Sequence, residues 1–117
     1  MRGERGAITV HAAAVAVLLI VAGLLITEMA GLVRLRHRVA SAAELAALSA
    51  SQASVGGEEP CAVARQIAKR NDAEVLVCRM DYDVATITAR GTSGTWWGHR
   101  WAFEQKARAA PDYYLPD

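Results

Sequence analysis

The sequence predicts an α+β protein: one long N-terminal helix, a short second helix and a small antiparallel β-meander. Three observations carry this reading. The run from Ala7 to Thr27 holds no formally charged residue and consists mainly of Ala, Val, Leu and Ile. Good helix formers continue beyond it, and no proline interrupts the chain between Ala7 and Ser54. After Pro60, the segments Ala73–Met80 and Val84–Arg90 are dense in β-formers and are separated by Asp81-Tyr82-Asp83, a tight-turn sequence.

The first element follows from length and polarity. As a helix, the Ala7–Thr27 run would be ~31 Å long, matching the ~30 Å hydrocarbon core of a bilayer. Its apolar stretch exceeds the usual ~7–15 residues of a signal peptide, and no clean small-residue cleavage site follows it, so the segment reads as a retained span. Continued to Ser54, the helix would reach ~70 Å. Leu32, Leu35, Val39, Ala42 and Ala46 recur at spacings of three and four and form an apolar stripe, from which Leu45 and Leu48 drift. That outer half needs a packing partner, because propensity alone does not hold an isolated helix in water.

Gly56, Gly57 and Pro60 end the first helix. Cys61 to Asp72 then reads as a short amphipathic helix with Ala62, Val63 and Ile67 on its apolar side. In the first strand, strict alternation puts Leu76 and Cys78 on one face and Val75 and Val77 on the other. Gly91 to Gly94 reads as a loop. A third strand over Thr95–Ala107 would place Trp97, His99, Trp101 and Phe103 on one face, with Trp97, Trp101 and Phe103 covering the core and Trp96 more exposed. Short connections make a meander the default order. The small sheet is expected to lay one face on the outer half of the long helix. The resulting organisation is a short leader at 1–6, a transmembrane helix at 7–27, its continuation outside the membrane at 28–54, a small α/β domain at 55–110 and a flexible tail at 111–117.

Composition narrows the function classes. The chain has 117 residues and a net charge of +1, so no global basic field points to nucleic acid. Arginine outnumbers lysine eleven to two, a bias that fits a GC-rich genome. The only thiols, Cys61 and Cys78, would most simply form one disulfide in an extracytoplasmic domain, worth about 3 kcal/mol in the chain-entropy model; two buried free thiols are the alternative. Two cysteines and three scattered histidines show no metal-ligand spacing, and no cofactor motif is present. No Ser/His/Asp order, phosphate-binding glycine loop or paired acids in an apolar setting suggests catalysis; Asp81 and Asp83 read as turn residues. The chain is therefore expected not to be an enzyme.

The order of motifs resembles the TadE-like, pilin-related family, in particular an actinobacterial branch encoded beside helicase and secretion genes. The resemblance rests on Arg5-Gly6-Ala7 running straight into the span and on the basic, then Ala-Leu-rich stretch Arg36-His37-Arg38-Val39-Ala40-Ser41-Ala42-Ala43-Glu44-Leu45-Ala46-Ala47-Leu48. It rests also on the Cys61…Cys78 pair around a helix-then-strand unit and on Lys106-Ala107-Arg108-Ala109-Ala110-Pro111. It implies a pilin-like fold and a single-pass pseudopilin or minor pilin of a tight-adherence (Flp-type) pilus or related secretion apparatus. Its implied partners are the membrane, other pilin-like subunits or secretion proteins, and a prepilin peptidase. Cleavage by that peptidase would fall between Gly6 and Ala7. The fifth mature position, a glutamate in better-known members, is His11 here. A neutral imidazole can accept a hydrogen bond from a neighbouring N-terminal amine but supplies no negative charge.

His11 is the one ionisable group inside the span, and intramembrane ionisable residues are functional candidates. The plainer reading is a neutral ring that reaches headgroups or a backbone carbonyl. Gly23 reads as a weak small-residue contact, and Glu28 as a solvated boundary residue. Arg2 and Arg5 on one flank nearly balance Arg34, Arg36 and Arg38 on the other, so charge alone does not orient the span. The disulfide argument and the pilin-like layout both favour an N-terminus in the cytoplasm and a C-terminal domain outside the cell membrane. The competing readings are a non-polymerising bitopic anchor with a small extracytoplasmic binding domain, and a secreted small enzyme or inhibitor.

Overall fold

The computed structural model describes residues 2–94 and 98–113. Its elements are α1 (Arg2–Val55), α2 (Pro60–Arg70), β1 (Glu74–Asp81), β2 (Val84–Thr92) and β3 (Ala102–Ala109). The three strands form one antiparallel sheet in the order β1-β2-β3, so the expected α+β meander is what the chain adopts. Helix α1 begins at Arg2 rather than at about residue 7. The chain divides into two compact units, residues 1–32 and 33–117.

The first unit is the N-terminal part of α1. Every described side chain from residue 4 to residue 31 is exposed, including the large apolar Ile8, Leu18, Leu24 and Ile26. Polar side chains within the uncharged run are few, and each folds back on its own helix.

The second unit is built around a layer of alanines. The face of α1 that carries Leu35, Val39, Ala42, Ala43, Ala46, Ala47, Ala50 and Ala53 is buried, whereas Leu45 and Leu48 are half exposed. Buried Ala85, Ile87, Ala89 and Gly91 alternate along β2, the central strand. Small side chains on both surfaces let helix and sheet backbones approach closely, and Ile87 and Val39 are the largest fully buried side chains. Two contacts fix the relative direction of β2 and the outer part of α1. The Ser51 hydroxyl donates to the Asp83 carbonyl at 2.7 Å, just before β2 begins. Near the far end of β2, Gly91 lies against Val39 and Leu35. Strand β2 therefore runs antiparallel to this part of α1. The spans agree, at about 18 Å for the helix from Val39 to Ser51 and about 23 Å for the strand from Val84 to Gly91.

Gly91 belongs to β2 and not to a loop. A Cβ placed on it would sit 2.3 Å from Val39 Cγ2, so glycine is present for close backbone approach rather than for a turn.

Both helices end in Schellman motifs. At the end of α1, Gly57 takes φ 78°, Gly57 N–H donates to Ser54 O at 3.2 Å and Glu58 N–H to Ala53 O at 2.8 Å. At the end of α2, Asp72 takes φ 55°, with Asp72 N–H to Lys69 O at 3.2 Å and Ala73 N–H to Ala68 O at 2.9 Å. Helix α2 starts with Pro60 in its first turn, and the Glu59 carboxylate accepts from Cys61 N–H at 3.3 Å. Its buried residues are Ala64 and Ala68, while Ala62 is exposed. The inward face is thus one position away from the expected Ala62 side, because Cys61, Ala64 and Ala68 share it at i, i+3 and i+7.

The facing expected for β1 is also corrected. Val75 pairs with Ala89 and Val77 with Thr88, so Leu76 is an extra residue in a β-bulge. The bulge resets the alternation: Val75, Cys78 and Met80 pack toward the core cluster, and Leu76 and Val77 are exposed. Strand β3 begins at Ala102, later than expected. Phe103, Gln105, Ala107 and Ala109 are half-buried on its inner side. Trp101 does not cover the core; it is 50% exposed and meets His99 edge to face at 4.9 Å. The segment leaves the sheet before this point, held by Ser93 N–H to Trp101 O at 2.8 Å and Trp101 N–H to Ser93 Oγ at 2.9 Å. The expectations for Trp96 and Trp97 lie outside the described residues.

Candidate functional site

The candidate site is the apolar part of α1 and the residues at its N-terminal end. Within 7–27 the polar side chains are Thr9, His11 and Thr27. Each meets the carbonyl four residues earlier: Thr9 Oγ1 donates to Arg5 O at 3.0 Å, His11 Nδ1 lies 2.7 Å from Ala7 O, and Thr27 Oγ1 donates to Gly23 O at 2.9 Å. In hydrocarbon, such back-bonding satisfies hydroxyl and ring N–H groups that would otherwise lack partners. α1 is one helix long and apolar enough to cross a membrane, and its most apolar window has none of its residues buried.

A carbonyl oxygen only accepts, so the His11–Ala7 contact places a proton on Nδ1. Nε2 then accepts in the neutral ring and donates in the charged one. Gly6 and Ala7 sit inside the helix, and a Cβ added at Gly6 would meet nothing within 4 Å. Gly23 likewise has open space around it. The structure brings Gly6, Ala7 and His11 together on successive turns.

The second pair of predicted residues, Cys61 and Cys78, forms a disulfide with a Cα–Cα distance of 5.9 Å. Cys61 lies in the first turn of α2 and Cys78 on the core side of β1, which the bulge at Leu76 turns toward α2. The bridge and the bulge therefore belong to one arrangement. The alternative of two free thiols is set aside.

Sequence reasoning missed the hub at Asp83. Besides the Ser51 contact to its carbonyl, its carboxylate accepts from the Ser54 hydroxyl at 2.7 Å and from the Tyr113 hydroxyl. The Tyr113 hydrogen bond, followed by that of Ser54, holds the Asp83 carboxyl below the usual carboxylate range. Asp83 is thus both a turn residue and a latch between the β1–β2 hairpin and α1. The Ser51/Ser54 spacing on α1 was the available signal, but nothing local connects those serines to a residue about thirty positions later.

These features define a class: a chain with, among the described residues, one helix long and apolar enough to span a membrane, together with a disulfide-bonded α+β domain. Residues 6–55 match the family described as "Putative Flp pilus-assembly TadE/G-like". The resemblance read from Arg5-Gly6-Ala7 and the stretch from Arg36 is thereby met over the long helix. No curated protein and no solved structure matches the chain.

Proposed function

We propose that this chain is a pilin-like subunit of a Flp/Tad-type pilus or a related secretion apparatus, anchored by a single membrane span. The observation that carries the reading is the family match over residues 6–55, the whole apolar run and its helical continuation. The internally satisfied polar side chains of that run support a lipid environment. The disulfide supports an oxidising compartment for the C-terminal domain, with the N-terminus in the cytoplasm. In this reading apolar helices pack against one another in the membrane, and the exported domain meets other subunits or secretion proteins. A prepilin peptidase cuts between Gly6 and Ala7.

A second reading is a bitopic anchor that is neither cleaved nor polymerised. His11 favours it: the resemblance implies a glutamate there, and an imidazole whose Nδ1 is committed to Ala7 O provides no carboxylate for a neighbouring amine. N-terminal mass measurement on protein from its native host separates the two. A mature chain starting at Ala7 supports the pilin-like subunit, and an intact Met1 or Arg2 start supports the uncleaved anchor. A start beyond Ala30 would refute both.

A further inference from the structure

The outer face of the sheet carries a set of cations that the anchor and the disulfide do not use. Strand register puts Arg79, Thr86 and Arg108 in one row across β1, β2 and β3, with Lys106 paired to Thr88 in the next outward row. Another outward row of the same face is composed differently. There Arg90 lies between Glu74 and Glu104, so a cation is flanked by two acids. The Arg79–Thr86–Arg108 row has no acid between its arginines. Arg79 and Arg108 stand two strands apart on this face with Lys106 one outward row away, so their fields add over the surface between them.

These residues line a shallow depression of about 400 Å³ bounded by Arg79, Asp81, Thr86, Lys106, Ala107 and Arg108. Asp81 Oδ2 lies 3.4 Å from Arg79 Nε, and the Arg79 side chain is 72% exposed. Among the described residues, neither Lys106 nor Arg108 has an ion-pair partner. Three cations and one carboxylate leave the depression with a formal charge of +2. Thr86 adds a hydroxyl that donates or accepts.

We propose that this depression binds a small, water-soluble phosphate monoester, with Arg79, Arg108 and Lys106 holding its oxygens and Thr86 beneath them. The dianionic group matches the local charge, and the guanidinium forks suit bidentate contacts to phosphate oxygens. The volume falls within the range of small-molecule sites. The lining itself favours a water-soluble ester over a lipid, because Ala107 is its one apolar residue; exposed Val77 lies in the neighbouring Lys106 row, and the phosphatidylglycerol arm of the test separates the two. The site stands on the sheet alone and does not depend on whether the helix is cleaved or polymerises.

The test uses the full chain in maltoside micelles, which contain no phosphate, with glycerol phosphate and inorganic phosphate as probes. Backbone amide resonances of Thr86, Ala107 and Arg108 are expected to shift saturably. Arg79→Gln and Arg108→Gln should each weaken binding about tenfold, a loss of roughly one charge-assisted contact. Glu104→Gln, outside the depression, should leave it unchanged. All three side chains are exposed, and the amide spectrum of each variant checks its fold; Lys106→Gln provides an independent third variant. The proposal is overturned if sodium chloride at matched ionic strength reproduces the shifts, or if the Arg79→Gln/Arg108→Gln double variant binds as the parent does. A response to micelles doped with phosphatidylglycerol, or to an acidic peptide, without a response to the phosphate probes also overturns it.

Discussion

Replacing Gly91 with alanine tests how closely β2 lies against α1. The new Cβ would sit 2.3 Å from Val39 Cγ2, about 1.2 Å short of the ~3.5 Å at which carbon atoms attract. Val39 is fully buried and β-branched, so it has no open rotamer into which to retreat. Helix and strand must separate locally, at a cost of about 1–3 kcal/mol for overpacking. Val39→Ala alone removes two methyl groups, costing about 2 kcal/mol from transfer and residual void together. The double variant differs from both. Without Cγ2, the added Cβ meets Val39 Cβ at 3.6 Å, and Leu35 Cδ1 also lies at 3.6 Å, ordinary contacts that refill part of the void. The double variant should therefore be at least ~1 kcal/mol more stable than the sum of the two single losses. The assay is amide hydrogen exchange of β2 residues Thr88 and Arg90 in the full chain in micelles, since far-ultraviolet dichroism is dominated by the long helix. Additivity within about 0.5 kcal/mol would refute the close approach, as would a Gly91→Ala variant that exchanges like the parent.

The remaining predictions concern the ties around that contact. Cys61→Ala/Cys78→Ala should lower the stability of the sheet domain by about 3 kcal/mol, given a loop of 17 residues, read by the same exchange measurement; unchanged protection in β1 would count against it. Asp83 has a folded pKa below its unfolded value, so its contribution is fully present above the unfolded value of roughly 3.9 and is lost as pH falls through the folded one. Asp83→Asn should flatten the decline in thermal midpoint below about pH 4, and a slope equal to that of the parent would remove the latch from the account. Asp72→Gly relieves a left-handed non-glycine residue at the end of α2 and should stabilise by about 0.5–1 kcal/mol, measured as a raised thermal midpoint of the sheet domain. A lowered midpoint there would show that the aspartate side chain matters more than its backbone.

Some of this architecture is legible in the sequence because its cause is local. The end of α1 follows from Gly57, and the start of α2 from Glu59 and Pro60; the hairpin follows from β-formers on either side of Asp81–Asp83. The stripe Leu32, Leu35, Val39, Ala42 and Ala46 is periodic; its last four members are buried as the period implies, while Leu32 is only half-buried. Other features depend on residues far apart. One inserted residue at Leu76 reverses the facing of β1, and strict alternation has no way to register it. Gly91 resembles a loop glycine until Val39 is known to lie against it. Tyr82 takes a left-handed backbone conformation that its type does not announce, whereas Asp72 does so as one of the few non-glycine types that favour it. Of the candidate site, the span, His11 and the cysteine pair were visible in the sequence, and His11 Nδ1 lies against the Ala7 carbonyl. The Asp83 hub was not visible, because its partners Ser51, Ser54 and Tyr113 lie 32, 29 and 30 residues away.

The alanine layer of α1 bears on the order in which the chain matures. In the proposed topology, with the C-terminal domain exported after the span, the helix face at 42–53 would emerge well before β2, the strand that covers it. Until residues 84–92 arrive, that face waits uncovered, and contacts this distant in sequence form late. A leucine-rich face would be adhesive during the interval and prone to join unfinished neighbours. Alanine exposes little apolar area per residue and remains a strong helix former. The helix can thus stand as a finished, weakly sticky template on which the later strands are laid down.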